Sequence, residues 1–493
     1  MTDLRSRVVS GLKWQAAAKV GSQVISWSVT IYVMRLLAPA DYGLMAMTMV
    51  LVGLSALVAE MGFGAALIRA PVADLPLQRS VFGFALITNL ALYALLVAAA
   101  PLAVWHFSEP RLALLTLVLG LQLPIATLGV VPEAMARRDL RFKPLSIIEL
   151  AAQVTTVLAT LAAALSGLGV WALVVGQFTQ TVVRSGLMAL MFGMVAPSFR
   201  IAGQLSLIAF GGSLTLNRIV WFTTTQADIF IVGKMLGPQL LGIYSVALNL
   251  ANMPMQKIMA IANQVAYSAF AKLQQDPVAM RAGLLNSTRL MLALAVGLLW
   301  CIAAVAPELI SLLLGDKWAG AIVPFRVMAA VIPVRIICGL LSTALIAAGF
   351  VNDDLKNTLT GGCILIPAFF VGAISAGITG VAWAWAVGYP VFAIFLLRRV
   401  SLRLGVRTRD VLRQLLTPVT AGLAMWACVI AANTPLIATP LPIRLGLLTM
   451  LALLVYSAVI VVIDRSLRGE LLAMLALTKM TLLRFLRRGH VAS

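Results

Sequence analysis

Long apolar stretches follow one another along most of this chain, and they restrict its possible folds more than any motif does. A helix needs about 20 residues to cross the hydrocarbon core of a bilayer, and these stretches meet that length. With 61% hydrophobic and only 11% charged residues, and a mean hydropathy of +1.02, the chain is far more apolar than a soluble protein. No stretch alternates as a barrel strand would, so the backbone has to satisfy its hydrogen bonds in helices. The sequence therefore predicts an all-α polytopic membrane protein.

The apolar stretches and the loop charges together predict fourteen transmembrane helices with both termini in the cytoplasm. The predicted helices lie at 13–37, 42–68, 80–105, 111–133, 144–166, 169–195, 205–234, 238–270, 284–306, 320–349, 357–377, 379–397, 412–433 and 443–464. This arrangement places nearly all loop Lys and Arg residues on the cytoplasmic side, as the positive-inside rule requires. The opposite side holds Arg35, Arg111, Lys234, Lys317 and Arg444. The net charge of +20 thus needs no nucleic acid to explain it.

An internal repeat divides the chain. Laid over itself with an offset of 199 residues, the sequence matches Pro39 to Pro238 and Gly43 to Gly242 without a gap. Each copy would contain six helices, an even number, so the two copies would share one orientation and form two parallel-related lobes, as in transporters. The predicted domains are 1–200 (N-lobe, helices one to six), 201–400 (C-lobe, helices seven to twelve), 401–466 (helices thirteen and fourteen) and 467–493 (a basic cytoplasmic tail). The Leu, Met, Arg and Lys residues of this tail are typical of an amphipathic helix on the membrane surface or of a solvated tail.

Seven cations lie inside the predicted helices, namely Lys19, Arg184, Arg218, Lys257, Arg289, Arg326 and Arg335. A cation at the centre of an inserted helix costs roughly 2.5–3.5 kcal/mol, so such residues normally face a bundle interior or a water-filled cavity. Fewer acids lie at comparable places: Glu60, Glu133, Glu149 and Asp228. The excess of positive charge predicts an anionic substrate. Arg184 and Arg289 are closer to cytoplasmic helix ends and are interpreted as topological, which leaves Lys19, Arg218, Lys257, Arg326 and Arg335 as candidate substrate-binding residues.

Polar side chains share one face on each of three predicted helices. Helix one carries them around Lys19, helix seven around Arg218 and helix eight beside Lys257. Such groups can simply hold helices together by hydrogen bonds, and Lys19 and Arg218 can be snorkelling cations at the membrane surface. Three long stripes on repeat-related or adjacent helices favour a hydrated central cavity instead. The candidate lining residues are Gln15, Gln23, Ser26, Thr225, Asn249, Asn252 and Gln256.

Two of the acids, Asp228 and Glu60, are candidates for ion coupling. A carboxylate in a low-dielectric cavity can take up a proton or sodium ion and couple transport to its gradient. Asp228 can equally be the ion-pair partner of Lys257 or Arg218, and Glu60 can be structural. The sequence predicts no cofactor and no metal, because its four cysteines are widely spaced in apolar segments.

Four stretches resemble the polysaccharide-transport branch of the multidrug/oligosaccharidyl-lipid/polysaccharide (MOP) exporter superfamily. They are residues 35–43, 60–69, 132–142 and 228–244, the last followed by Pro254. The chain is most similar to Wzx-type flippases of exopolysaccharides such as colanic acid or xanthan. The resemblance implies a MATE-like, V-shaped core of twelve helices plus two further helices in the bacterial inner membrane. It also implies alternating access and the export of undecaprenyl-pyrophosphate-linked oligosaccharide repeat units, together with a polysaccharide polymerase or export machinery. Cations of helices one and eight line the cavity in related flippases, and Lys19 and Lys257 lie at similar places.

Other functions fit the sequence less well. A peptidoglycan lipid II-type flippase would explain the cations equally, and only the local resemblance separates it from an exopolysaccharide flippase. A drug/cation antiporter would need a cavity dominated by acids. A membrane acyltransferase would need a His inside the membrane, whereas His106 lies at an outward loop and His490 in the tail. No Gly-rich nucleotide-binding loop is present, so the sequence predicts a transporter rather than an enzyme.

Overall fold

The computed structural model describes residues 26–59, 63–199, 205–273 and 276–464. All regular secondary structure in these ranges is helical, which confirms the all-α prediction. In chain order the helices are α1 (26–36), α2 (Pro39–Ala59), α3 (Phe63–Arg69), α4 (Leu75–Phe107), α5 (Arg111–Gly120), α6 (Gln122–Arg138), α7 (Phe142–Leu165), α8 (Val170–Phe192), α9 (Leu205–Leu273), α10 (Pro277–Ala304), α11 (Ala306–Leu313), α12 (Ile322–Ala347), α13 (Val351–Leu404), α14 (Thr408–Asn433) and α15 (Leu441–Ile463). A short 3-10 helix, Asp316–Ala321, lies between α11 and α12.

Ten helical segments of the described residues are long and apolar enough to cross a membrane. The chain is therefore a multi-pass membrane protein, as its composition predicts. Two of these segments, Ile219–Gln256 and Val351–Leu404, are 38 and 54 residues long, well beyond the roughly 20 residues of one span. The predicted total of fourteen helices, and their grouping as two six-helix lobes plus two, stay predictions.

Glycines in a left-handed backbone conformation interrupt the two longest helices. Gly237, with φ of 79°, interrupts α9, and Gly377, with φ of 59°, interrupts α13. Glycine adopts such a conformation without the steric cost that a Cβ would add. Pro238 follows the first kink, and its fixed φ suits the first position of a new helix. The breaks predicted at 234–238 and 377–379 coincide with these two kinks.

Helices α4 and α10 begin with the same cap. The Asp74 carboxylate accepts a hydrogen bond of 3.0 Å from the Leu77 amide, and the Asp276 carboxylate accepts from two amides of the first turn of α10. Both helices have proline in their first two positions, and five residues after each Asp comes an arginine, Arg79 or Arg281. Such caps satisfy amide groups that a helix leaves without partners. This shared beginning is a second similarity between the two proposed repeats.

The described residues form two compact units. Unit 1 comprises those of Met1–Val246, Leu313–Trp318 and Ile366–Val381, and unit 2 comprises those of Ala247–Leu312, Ala319–Leu365 and Ala382–Ser493. The two units are groups of residues that contact one another in space. The boundaries predicted at residues 200, 400 and 466 were instead derived from the sequence repeat and the helices outside it. The predicted domains therefore stay a prediction.

In unit 2 the last two helices pack on α10. Tyr456 of α15 donates a hydrogen bond of 2.7 Å to the Ala293 carbonyl, and Trp426 of α14 donates one of 2.8 Å to the Trp300 carbonyl. Trp300 in turn donates to the Ala330 carbonyl of α12 at 3.0 Å. The α14 and α15 helices, which the repeat does not include, are thus part of the core of unit 2.

Candidate functional site

Several predicted site residues lie beyond what the structure describes. Gln15, Lys19, Gln23 and Glu60 fall outside the described ranges, and the side chains of Arg218 and Lys257 are likewise not described. Their roles stay predictions. The other predicted residues divide between the units: Ser26, Thr225 and Asp228 lie in unit 1, whereas Asn249, Asn252, Gln256, Arg326 and Arg335 lie in unit 2.

In unit 2, two of the predicted residues meet two aromatic rings. The Arg335 guanidinium on α12 donates to the Asn252 side-chain oxygen on α9 at 3.2 Å. Its central carbon lies 4.5 Å from the ring centre of Trp385 and 5.3 Å from that of Tyr389, both on α13. The two rings are stacked, with centroids 5.2 Å apart. Asn252, Arg335, Trp385 and Tyr389 are called the Arg335 cluster below.

One nitrogen of this arginine is not hydrogen-bonded within the part of unit 2 that the structure describes. The Arg335 Nε is buried and makes no hydrogen bond to the described residues. Contacts between a cation and an aromatic face contribute about 0.5–2 kcal/mol, so the rings and Asn252 hold the guanidinium in one orientation. A guanidinium fixed in this way suits an anionic or sugar oxygen through its charge and its terminal N–H groups. A phosphate can accept two parallel hydrogen bonds from arginine.

Sequence reasoning missed the two rings of the Arg335 cluster, although a local signal for them exists. Trp385 and Tyr389 are four residues apart and therefore lie on one face of α13. Trp383 is 55% exposed and Trp385 only 1%, so the two tryptophans face opposite ways. Arg335 could not be assigned a face beforehand because Pro333 precedes it and can kink a helix; in the structure α12 runs on as one helix from Ile322 to Ala347.

Arg326 lies apart from this cluster. It is nine residues before Arg335 on α12, which is roughly 13.5 Å along a helix axis. Its Nε donates to the Ala303 carbonyl at 3.2 Å, near the end of α10, and its guanidinium carbon lies 6.0 Å from the ring centre of Trp426. A cation is stabilised by the negative end of a helix dipole. The structure therefore gives Arg326 helix-packing contacts and does not bring it to the Arg335 cluster.

The other predicted lining residues that the structure describes are Ser26, Thr225, Asn249 and Gln256. The Ser26 hydroxyl accepts from Gln153 of α7 at 3.1 Å. The Thr225 hydroxyl donates to carbonyls of its own helix at 3.0 and 3.1 Å, and Asn249 and Gln256 are exposed. Of the predicted lining residues that the structure describes, Asn252 alone contacts a predicted cation.

Asp228 is fully buried in unit 1, with 0% exposure. One carboxylate oxygen accepts from the Tyr244 hydroxyl at 2.6 Å, and the other accepts from the Ile229 amide at 2.8 Å. Asp228 precedes the Gly237 kink and Tyr244 follows it. This hydrogen bond therefore braces the two halves of α9 against each other.

We expect Tyr244→Phe to lower the free energy of unfolding by about 1–3 kcal/mol, because the buried carboxylate would lose one donor. Thermal melting of the purified protein in detergent measures this effect. Tyr32 is 49% exposed, so Tyr32→Phe is a matched control that should melt with the unaltered protein. If both variants melt together, the bracing role of Tyr244 is wrong.

The two repeat-related corners of unit 1 pack directly on each other. There is no room for a Cβ on Gly43, because it would overlap the Pro238 carbonyl oxygen, and a Cβ on Gly242 would overlap that of Pro39. The glycine of each corner thus packs against the proline carbonyl of the other corner. Reciprocity of this kind is typical of a two-fold axis. Residues 39–43 and 238–242 are called the paired corner below.

A second set of contacts fastens the end of α1 beside the paired corner. Lys317 donates to the carbonyls of Arg35 and Leu37 at 2.5 and 2.7 Å. The fully buried Trp318 donates to the Met34 carbonyl at 3.0 Å. These donors satisfy carbonyls that the end of a helix leaves without partners. Lys317 and Trp318 are called the clasp, and the topology predicts that both the clasp and the paired corner lie on the outward side.

No group of three or more His, Cys, Asp or Glu residues that could hold a metal ion occurs within the described ranges. Nothing in the Arg335 cluster has the pairing of nucleophile and base that covalent catalysis uses.

A family model described as "Polysaccharide biosynthesis protein" matches residues 32–323, which is more than half of the 493 residues. The matched range contains the paired corner, the clasp, Asp228 and Asn252, and it ends before Arg326 and Arg335.

Two curated relatives cover most of the chain. The teichuronic acid biosynthesis protein TuaB of Bacillus subtilis is 24% identical over 395 residues, which is 78% of this chain and 81% of TuaB. The lipopolysaccharide biosynthesis protein WzxC of Escherichia coli is 24% identical over 392 residues, 77% of each chain. The solved structure of the lipid II flippase MurJ in an inward closed conformation has a TM-score of 0.74 and 14% identity, and covers 92% of this chain and 99% of MurJ. At that identity the similarity is one of fold.

Proposed function

We propose, because this chain belongs to the polysaccharide biosynthesis protein family, that it is a flippase for the repeat units of an exopolysaccharide. Its substrate would be an undecaprenyl-pyrophosphate-linked oligosaccharide, moved from the cytoplasmic to the periplasmic leaflet of the bacterial inner membrane. The family match over residues 32–323 is the observation that carries this proposal. The protein is a transporter and not an enzyme: the relatives and the MurJ fold are those of membrane proteins that move lipid-linked saccharides or take part in polysaccharide synthesis.

The positive charges inside the predicted helices support an anionic substrate. Lys19, Arg218 and Lys257 would hold the pyrophosphate, and the Arg335 cluster adds a guanidinium that Asn252 and two aromatic rings keep in place. Arginine forms forked hydrogen bonds with phosphate, while lysine acts as a point charge. The hydrophilic sugars would cross with the pyrophosphate while the polyprenyl chain stays in lipid.

The paired corner and the clasp support alternating access. Both join parts of the chain that belong to different proposed repeats: α1 and α2 on one side, and the kink of α9 and the segment after α11 on the other. In the proposed cycle these contacts separate to release the substrate outward and close again as the protein resets. Two six-helix lobes related by the repeat, two further helices and cytoplasmic termini complete the proposed architecture, which the loop charges support.

Ion coupling through Asp228 or Glu60, with H⁺ or Na⁺, is the remaining part of the proposed mechanism. The buried Asp228 carboxylate would have to exchange the Tyr244 hydroxyl for an ion at one step of the cycle. Alternatively, the transport cycle is driven without an ion gradient, because a polysaccharide polymerase or export machinery removes the released product.

A lipid II-type flippase is the second candidate function, and the MurJ similarity favours it through fold alone. The family match and the two relatives favour a polysaccharide repeat unit. A drug/cation antiporter is the weakest of the three, because the cations inside the predicted helices outnumber the acids.

Complementation separates these functions. We expect the full chain to restore polymer synthesis in a bacterium that lacks its exopolysaccharide flippase, and not to restore growth in one that lacks its lipid II flippase. Polymer yield and colony counts measure the two results, with immunoblots to establish equal amounts of protein in the membrane. Rescue of the second strain alone would replace the proposed substrate by lipid II. Rescue of neither strain by a membrane-inserted protein would overturn the proposal.

A further inference from the structure

A second basic site lies in unit 2, away from the Arg335 cluster. It is a cavity of about 410 Å³ between the beginning of α10, the end of α12 and the end of α13. Its apolar walls include Met280, Ala348, Phe350 and Leu402, and its charged groups are Arg281 and Arg403. None of its lining residues belongs to the Arg335 cluster.

Protein contacts hold both arginines at the cavity through one nitrogen each. The Arg281 Nε donates to the Leu404 carbonyl at 3.1 Å, and the Arg403 Nε donates to the Asp353 carboxylate at 2.6 Å. The guanidinium of Arg403 also lies 5.1 Å from the ring centre of Phe350. Arginine has five N–H groups, and no Nη atom of either residue is hydrogen-bonded to a described residue. Each arginine thus keeps its forked end for another acceptor.

A glycine makes the position of Arg281 possible. Gly405 ends α13 with φ of 64°, a conformation that other residues rarely adopt. A Cβ at this position would overlap the Arg281 Nη2 atom. Because no side chain is present, the guanidinium can lie across the helix end and along the cavity.

The corresponding corner of unit 1 is filled by the chain itself. There α4, which has the same cap and arginine spacing as α10, receives the extended residues 193–199 that follow α8. The Ser198 amide donates to the Arg79 carbonyl at 2.9 Å, and a Cβ on Gly83 would overlap the Ser198 carbonyl. In unit 2 the chain turns at Gly405 and begins α14 three residues later, at Thr408. Only residues 405–407 separate α13 from α14, so unit 2 has no irregular segment of comparable length at the cavity.

The charge around the cavity is positive. Asp353, the carboxylate that binds Arg403, also lies 3.8 Å from Lys356, so one acid is shared by two cations and Arg281 adds a third charge. Apolar walls next to such a group of charges match a molecule that has both a phosphate and a hydrocarbon part. Basic pockets between transmembrane helices near the cytoplasmic side bind lipid head groups of this kind.

We infer that this cavity binds the phosphate of an anionic membrane lipid, with Arg281 and Arg403 donating to its oxygens. The cavity shares no lining residue with the Arg335 cluster, and the inference does not depend on what the protein transports. A free phosphate ion has the same acceptor groups but no hydrocarbon to contact Met280, Phe350 and Leu402, so the lipid is the ligand that fits both parts of the cavity.

Native mass spectrometry of the full chain in detergent tests this inference with phosphatidylglycerol, phosphatidylcholine and inorganic pyrophosphate as probes. We expect saturable retention of phosphatidylglycerol, and a loss of affinity of about tenfold in the double variant Arg281→Gln, Arg403→Gln, which lacks the charged donors. The double variant Arg409→Gln, Arg413→Gln is the matched control. It removes the same charge from exposed positions in α14 and should bind as the unaltered protein does.

A third variant removes space instead of charge. Ala348→Leu adds bulk to the cavity wall while both arginines remain, and it should also weaken retention of phosphatidylglycerol. If the double arginine variant fails to fold, phosphatidylglycerol retention by Ala348→Leu still tests the inference. Unchanged retention in the cavity variants, equal loss in the matched control, or saturable pyrophosphate binding without lipid retention would each overturn the inference. All these measurements are made without transport, so a failed complementation leaves them unaffected.

Discussion

Arg335→Ala is expected to lower the exchange of lipid-linked oligosaccharides between the leaflets of proteoliposomes by about tenfold to a hundredfold. That range corresponds to one hydrogen bond from a charged donor. The Arg335 guanidinium is held by Asn252 and by the faces of Trp385 and Tyr389, so its charge has a fixed position in unit 2. Removing the side chain removes the cation that Asn252 and the two rings hold in the Arg335 cluster.

Two further variants distinguish substrate binding from helix packing. Arg335→Lys keeps the charge but loses the forked donors and the flat contact with the rings, so we expect an intermediate exchange rate. Arg413→Ala removes an exposed arginine of the same unit and should leave exchange unchanged. Thermal melting of each variant reports on packing alone. If Arg335→Ala melts at a lower temperature but exchanges at the full rate per folded molecule, Arg335 is a packing residue and not a binding residue.

The same substitution, Gly→Ala, should have opposite effects at different helical positions. At Gly186 in α8 an added Cβ meets nothing within 4 Å, and alanine is preferred to glycine inside a helix by roughly 0.5–1 kcal/mol. At Gly43 and at Gly242 the added Cβ would overlap a backbone carbonyl of the opposite corner. Overpacking of this kind costs about 1–3 kcal/mol, and more where backbone has to move.

We therefore expect Gly43→Ala and Gly242→Ala to melt at lower temperatures than the unaltered protein, and Gly186→Ala to melt at the same or a higher temperature. Oligosaccharide exchange should fall in the first two variants and not in the third, because only the paired corner has to close during the proposed cycle. Since the corners contact each other reciprocally, the double variant Gly43→Ala, Gly242→Ala should cost less than the sum of the single variants. Melting of all three single variants at one temperature would show that the paired corner tolerates a side chain.

Helix positions were predictable because each depends on residues close together in the sequence. Length and hydropathy predicted the spans, and Gly237 with Pro238 marked the kink of α9 where helices seven and eight were separated. The match of Pro39 and Gly43 to Pro238 and Gly242 predicted that the two segments are copies of one repeat. That these corners touch each other was not predictable, because a repeat specifies similarity and not contact.

The candidate sites depended more on tertiary structure. Asn252 and Arg335 were both predicted as site residues, yet 83 positions separate them, and no periodicity specifies which helices are neighbours. Asp228 was predicted to couple ions or to pair with a cation, and its contact with Tyr244 across a kink was not foreseen. The cavity between Arg281 and Arg403 was missed because both arginines looked like ordinary loop charges.

The sequence by itself determined that the chain is an all-α, multi-pass membrane protein, because the cost of burying backbone and charge in lipid acts on each segment separately. Its family followed from local sequence similarity. The tertiary structure decided which side chains face each other. That choice depends on how each helix is rotated about its axis and which neighbour it packs against. Even a polar stripe on one helix does not specify which helix it faces. Only packing distinguishes an arginine that faces aromatic rings and an amide from one that caps a helix.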